Sequence, residues 1–378
     1  MRKKGFIWLG VLLLTGFTAG TCALYAQSGS AADRDAARRL DAAMNSADAA
    51  SSSVQPERGG AQPAWINDPY QAFSREKYIA AVGYGPDRAE AERRAFANLT
   101  ALFGQSVRAE TSIATAYSEA ISQGIITVSE NTKVRDEIAT AASLDTLIGA
   151  EIAGVWDNTR GMVYAAARMD KERTVTVYTE MIRNNQRIID ELTTMGTAQK
   201  NTFDGYARYK LAGGVASINT QYASVVTQAG GSTASLNLKS AESYNIEAKN
   251  IIGNITVAVR VTGDQNNRIQ GAFAKVISDH GLRTRGTTSP YTVVATATYS
   301  EALFPNNPNK FCRYTISADL IENASGSSLL PFTTTGRTGH STYEEARTRA
   351  VLEMERTIAD TFSGALEEYL ATLLPQKR

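Results

Sequence analysis

The feature that most constrains how this 378-residue chain can fold is a glycine turn joining a strand to a capped helix. Residues 77–83 read as the strand, Gly83-Tyr84-Gly85-Pro86 as the turn, and residues 87–103 as the helix. Gly83 and Gly85 permit backbone angles closed to other residues, Pro86 presets φ, and Asp87 can cap the helix's first free amides. Glu90, three residues after Asp87, fits a capping box with Asp in place of Ser or Thr. Ala91, Ala95, Leu99, Leu102 and Phe103 recur at helical spacing, whereas Arg88, Glu92, Arg93 and Asn98 lie off that stripe. Two alanines on the buried stripe predict a helix lying close on its strand.

The same unit returns near the C-terminus. In Gly339-His340-Ser341-Thr342-Tyr343-Glu344-Glu345-Ala346-Arg347-Thr348-Arg349-Ala350, Ala346 matches Ala91, Arg349 matches Arg94 and Ala350 matches Ala95. Thr342 and Glu345 again fit a capping box. Between the two units the period changes. Val175, Tyr178, Met181, Ile182, Ile188, Ile189 and Leu192 fall at helical spacing, as do Phe203, Tyr206, Tyr209, Leu211, Val215, Ile218, Tyr222, Val225 and Val226. Gly196 and Gly230-Gly231 end these helices, and a third helical piece over 238–252 leads onward. Their apolar stripes must pack on each other, on a flanking domain or on a second copy of the protein.

The expected fold class is therefore α+β, with two small domains of helices packed on mainly antiparallel sheets, at 63–170 and 253–378. A helical hairpin or spacer over 171–252 separates them. In the first domain, residues 105–118 read as a strand at their start, with 113–122 equally able to continue as helix, 125–134 can form a strand, and 147–156 with 161–169 read as a hairpin closed by Asp157-Asn158-Thr159-Arg160-Gly161. In the second, 255–261 is a strongly alternating strand, 266–280 a helix and 281–285 a short return strand. Residues 291–299, 311–322 and 327–336 are further strands, with Pro305-Asn306-Asn307-Pro308 as a loop. A final helix over 342–374 buries Ala346, Ala350, Met354, Ile358, Phe362, Ala365, Leu366 and Tyr369.

At the N-terminus, positive charge over 1–4, an apolar run over 5–17 and a small-residue tail form a secretory signal over 1–26. The run is too short for a comfortable membrane span. Mature protein is expected to begin at Gln27, after Leu24-Tyr25-Ala26. The competing route is lipidation of Cys22 in the degraded lipobox Ala19-Gly20-Thr21-Cys22. Residues 27–62 read as a flexible Ala/Ser-rich linker. With a net charge of +1, no global field points to nucleic acid as a partner.

Pro63-Ala64-Trp65-Ile66, Pro69, Tyr78, Val82-Gly83-Tyr84-Gly85 and Glu90-Ala91…Ala95 are followed by Leu147-Ile148-Gly149-Ala150-Glu151-Ile152, Val155-Trp156-Asp157 and Met162-Val163-Tyr164-Ala165-Ala166-Ala167-Arg168-Met169-Asp170. In this order the segments resemble the lipoprotein-20 family of bacterial envelope proteins, over roughly residues 63–190. The resemblance implies an envelope protein and no reaction, because the family brings no established catalytic residues. The C-terminal domain is similar to the TolB N-terminal type of periplasmic domain. Such domains also stand beside a lipoprotein-20-like domain in the flagellar H-ring protein FlgT, which implies, by analogy of fold alone, a flagellum-associated role.

The chain is poor in catalytic chemistry. His280 and His340, the two histidines, lack a Cys or second His at ligand spacing and read as structural, His280 at a helix C-terminus where a cation is welcome. Cys312 reads as a small buried apolar residue. The Gly-Tyr-Gly-Pro turn lacks the third glycine and the Lys-Ser or Lys-Thr pair of a phosphate loop. Asp145, Glu151, Asp157 and Asp170 are scattered near strand ends. No catalytic, cofactor-binding or metal-binding residue is assigned and no cofactor is expected. The candidate partner-binding residues are Trp65 and Trp156, built as interface hot spots are or else core anchors of a small domain, and Tyr206 and Tyr209, interleaved with Arg208 and Lys210 or else part of the helical segment's own core. The expected function is a non-enzymatic scaffold or binding protein, periplasmic or outer-membrane-associated, with an envelope or flagellar protein as partner. The alternative is a periplasmic enzyme acting on cell-wall glycan.

Overall fold

The computed structural model describes residues 54–103, 147, 149–286, 289–305 and 307–373. The signal sequence, Cys22, most of the linker, the strands expected over 105–118 and 125–134, and Asp145 lie outside them. The chain is α+β, with two mixed sheets among the described residues.

The first sheet has the order β1-β3-β4-β2, from β1 (Glu57–Arg58), β2 (Tyr78–Gly85), β3 (Glu151–Asp157) and β4 (Val163–Asp170). β2, β4 and β3 are antiparallel, and β1 runs parallel to β3. The β3–β4 hairpin forms as its turn residues dictate: Asn158 Oδ1 accepts from the amides of Arg160 (2.8 Å) and Met162 (3.0 Å), and Asp157 Oδ1 from that of Thr159 (2.8 Å). Helix α1 (Arg88–Leu102) packs on one face and buries Ala91, Ala95 and Leu99 completely. Asp87 caps it by accepting from the Glu90 amide at 2.9 Å. The reciprocal half of the expected box is replaced, because the Glu90 carboxylate pairs with Arg93 and Arg94. The reason for the turn's glycines also differs from the expectation. Neither Gly83 nor Gly85 takes a left-handed angle. Both are there for space: a Cβ on Gly83 would lie 2.1 Å from the Ala95 nitrogen and 2.5 Å from the Ala91 oxygen, and one on Gly85 would lie 2.6 Å from Glu90 Cγ.

Helix α2 (Lys171–Thr193) leaves β4 directly, capped by Asp170. After the short α3 (Thr197–Lys200) comes α4 (Phe203–Gln228), then α5 (Ala241–Ile252). Tyr178 meets Tyr222 edge-on at 5.3 Å and Asn185 donates to Asn219 at 2.8 Å, so α2 and α4 run antiparallel. Their buried residues, among them Met181, Ile182, Val215, Ile218 and Val226, belong to one continuous apolar core with Leu99, Phe103 and Met169 of the first sheet unit. The helical stripes are thus covered by each other and by the first sheet with its helix.

The second sheet has the order β6-β5-β7-β8-β9, from β5 (Thr256–Thr262), β6 (Arg283–Thr284), β7 (Tyr291–Ala302), β8 (Lys310–Glu322) and β9 (Ser327–His340). β5 is parallel to β6 and β7, and β7, β8 and β9 form an antiparallel meander. Helix α6 (Arg268–Asp279) crosses from β5 to β6. Helix α7 (Tyr343–Thr357), a π turn over Ile358–Phe362 and α8 (Ser363–Thr372) complete the helical layer. Phe273, Ile316, Leu320, Met354, Ile358 and Phe362 fill its core. Phe203, the first residue of α4, sits in this second core, 4.3 Å from the Tyr291 ring and 5.7 Å from that of Tyr369, and its amide donates to the Tyr291 hydroxyl at 3.1 Å.

Two predictions follow from this packing. Gly83→Ala forces a methyl into helix backbone and should cost about 3 kcal/mol. Gly271→Ala, in the open interior of α6 with nothing within 4 Å of the added Cβ, should stabilise by about 0.5 kcal/mol; thermal melts of the two variants check the contrast. At the Phe203 junction, burial, then the charges of Tyr291 and Glu322, push the Tyr369 hydroxyl up to about 12, and burial raises Tyr291 as well. The folded protein therefore holds these protons more tightly than the unfolded chain, whose tyrosines titrate near about 10. Their contribution is fully present below that value and is lost as pH rises from about 10 towards 12. Urea midpoints measured across this window should fall, and Tyr369→Phe should flatten the slope.

Candidate partner-binding face

Along β4 the side chains alternate. Ala165 and Ala167 face α1, and Ala166 faces the opposite side. Tyr164 and Arg168 share that opposite side, as do Ala80 and Tyr84 of β2 and Trp156 of β3. Part of it is covered by two 3-10 turns, Ala64–Ile66 and Pro69–Gln71. Trp65 lies over Gly154, where a Cβ would come within 3.3 Å of the indole. Phe73, Ala80 and Ala166 form a small core under Trp65, Tyr70 and Tyr78. The Arg168 guanidinium lies over the rings of Tyr78 (4.5 Å) and Phe73 (5.3 Å) while its Nε donates to Glu151 at 2.8 Å. Glu151, 7% exposed, also has Arg173 at 3.8 Å.

Strand register places three aromatic residues in a row across β3, β4 and β2. Trp156 is opposite Tyr164, and Tyr164 is opposite Tyr84. The ring centroids are 5.6 and 6.0 Å apart. Exposure rises along the row: Trp156 is 8% exposed with its indole N–H donating to the Gly59 carbonyl at 3.0 Å, Tyr164 is half-buried, and Tyr84 is 50% exposed. Arg94 reaches over the sheet edge to Tyr84, its guanidinium 5.7 Å from the ring and its Nη1 donating to the Tyr84 carbonyl at 3.2 Å. An exposed tyrosine backed by a locked tryptophan presents apolar area with a polar tip at small entropic cost, which suits protein recognition.

Trp65 and Trp156 thus share one sheet face. Tyr206 and Tyr209 lie elsewhere, in the first turns of α4, half-buried against the second core, with the Lys200 ammonium 5.0 Å from the Tyr209 ring. Sequence reasoning missed Tyr84 and Tyr164 as members of the face. The signal was in the hairpin, since Trp156 and Tyr164 stand symmetrically about Arg160 in the turn.

The groups with chemical potential have structural partners. His280 Nε2 lies 3.0 Å from Ser363 Oγ, and His340 pairs with Glu345. Cys312 is fully buried, 3.9 Å from the Tyr343 hydroxyl, and burial raises its thiol. Glu151 is ion-paired, Asp157 holds its turn and Asp170 caps α2. Among the described residues no group of three or more His, Cys, Asp or Glu is placed to hold a metal ion, and no helix is long and apolar enough to cross a membrane.

No family model matches the chain, and no curated protein matches it. Among solved structures it is similar to the secreted protein HP1454 from Helicobacter pylori, at 14% identity and a TM-score of 0.40, over 76% of this chain and 98% of that one. It is also similar to a minor lipoprotein from Acinetobacter baumannii, at 14% identity and a TM-score of 0.24, over 32% of this chain and 97% of that one. A third likeness is to rare lipoprotein B from Shewanella oneidensis, at 10% identity and a TM-score of 0.23, over 31% of this chain and 95% of that one.

The graded row predicts a graded response. Trp156→Ala should cost about 3 kcal/mol of stability, whereas Tyr84→Ala should change it by less than about 0.5 kcal/mol. Denaturant unfolding of both variants measures the difference and shows which end of the row is available for a partner.

Proposed function

We propose that this chain is an exported, non-enzymatic binding protein of the bacterial envelope, and that it holds a partner protein on the aromatic face of its first sheet. The observation that carries the reading is the half-exposed Tyr84 ring at the end of the Trp156–Tyr164–Tyr84 row. The N-terminal secretory pattern supports export. The protein works in the periplasm if the leader is cleaved before Gln27, or at the outer membrane if the competing route leaves a lipid on Cys22. The lipoprotein-20 and flagellar resemblances point to an envelope or flagellar protein as the partner.

A photo-crosslinking residue in place of Tyr84, in intact cells, should give a discrete adduct with one envelope or flagellar protein. The same residue in place of Val294, an exposed position of the second sheet, should not. No adduct at position 84, or the same adducts from both positions, would overturn the reading. Digestion of cell wall by the purified protein, lost on replacing a single carboxylate, would establish the glycan-cleaving enzyme instead.

A further inference from the structure

The two sheets treat their edges differently. On the outer side of β2, the backbone groups of alternate residues are met by side chains: the Ala80 amide by the Tyr70 hydroxyl (3.5 Å), the Val82 carbonyl by Asn98 (2.8 Å) and the Tyr84 carbonyl by Arg94 (3.2 Å). Side chains at these positions blunt an edge that would otherwise accept another strand. Among the described residues, no side chain covers the β5 edge in this way. β6 pairs with it at Thr256 and Val257 alone. The amides of Arg283 and Arg285 donate to the carbonyls of Ile255 and Val257, at 2.9 and 3.2 Å. By the two-residue period of a strand, the amides and carbonyls of Val259 and Val261 point the same way. On its other side β5 is paired with β7 as far as Thr262. Among the described residues, no strand pairs with β5 beyond Val257 on the β6 side.

A cleft of about 370 Å³ lies along this open edge. It is lined by Val259 and Arg260 of β5, Gln270 and Ala274 of α6, and Arg285 and Gly286. No carboxylate is among the described residues that line it, and Arg283 stands exposed on the adjoining strand. An edge offering alternating donors and acceptors beside the exposed Arg283 and Arg285 selects an extended chain carrying negative side chains.

We infer that the β5 edge binds an extended acidic segment of a partner protein by strand addition, in line with β6 and with Arg285 pairing a carboxylate of the added strand. This site is separate from the aromatic face and stands or falls independently of it.

The test uses the full mature chain and acetylated peptides of about six residues, one alternating Glu with Val and one alternating Lys with Val. Hydrogen exchange should show unprotected amides at Val259 and Val261 in the protein alone. The glutamate peptide should slow their exchange and the lysine peptide should not. Arg285→Glu, at an exposed position that leaves the core untouched, should reverse that preference. Methylating the peptide's backbone nitrogens on the paired side should weaken binding about tenfold while leaving the protein unaltered. Equal binding of the two peptides, or binding indifferent to methylation, would overturn the inference. Protection of both amides before any peptide is added would also overturn it, because this chain or a second copy would then occupy the edge.

Discussion

Helix α4 is the element on which the two halves of this protein depend. Its first residue, Phe203, lies between Tyr291 and Tyr369 in the second core, and Leu211, Val215, Ile218, Tyr222, Val225 and Val226 are buried in the first. A helix rises about 1.5 Å per residue, so 26 residues reach from one sheet unit to the other. The hydrogen bond from the Phe203 amide to the Tyr291 hydroxyl satisfies a first-turn donor that a helix cannot satisfy internally. The helical segment is therefore a joint whose ends are fastened by burial. Ile251, near the end of α5, adds a second attachment to the same core.

Both sheet units solve the same packing problem at the same place. In the first, Gly83 lies beneath the Ala91 carbonyl and leaves no room for a side chain. In the second, the residue eight positions before Ala346 is Thr338, and its hydroxyl donates to the Ala346 carbonyl at 2.6 Å. One unit removes the side chain so that strand and helix backbones can touch. The other keeps a small polar side chain and turns the contact into a hydrogen bond. Ala91, Ala95, Ala346 and Ala350 are all fully buried because either solution requires a short side chain on the helix.

The surfaces follow from how each sheet is finished. The first has its outer face partly roofed by the Trp65 and Tyr70 turns and its β2 edge blocked by side chains, so what it offers is the aromatic row at the uncovered end. The second has a β6 of two residues, which leaves most of the β5 edge as backbone. A row of rings recognises shape and apolar area, and a strand edge recognises an extended backbone. The protein thus carries two surfaces of different chemistry on units joined by α4.

Local rules were legible in the sequence, and residues far apart in it were not. Asp87 and Thr342 cap helices where side chain and amide are three residues apart. The Asn158 turn closes its hairpin, and the stripes of α2 and α4 bury most of the residues their spacing marks, because each depends on chain geometry within a few residues. Strand ends were misjudged for the opposite reason. β9 continues past Gly336 to His340 because Lys310 to Arg313 of β8 are there to pair with it, and no property of β9 alone sets that limit. Gly83 could be seen as a glycine the turn required, but only the helix lying on it shows that the requirement is space. The capture of Phe203 by the second core, the alignment of Trp156 with Tyr164 and Tyr84, and the open edge of β5 were decided by tertiary structure, since burial and register act between segments whose meeting no local spacing encodes.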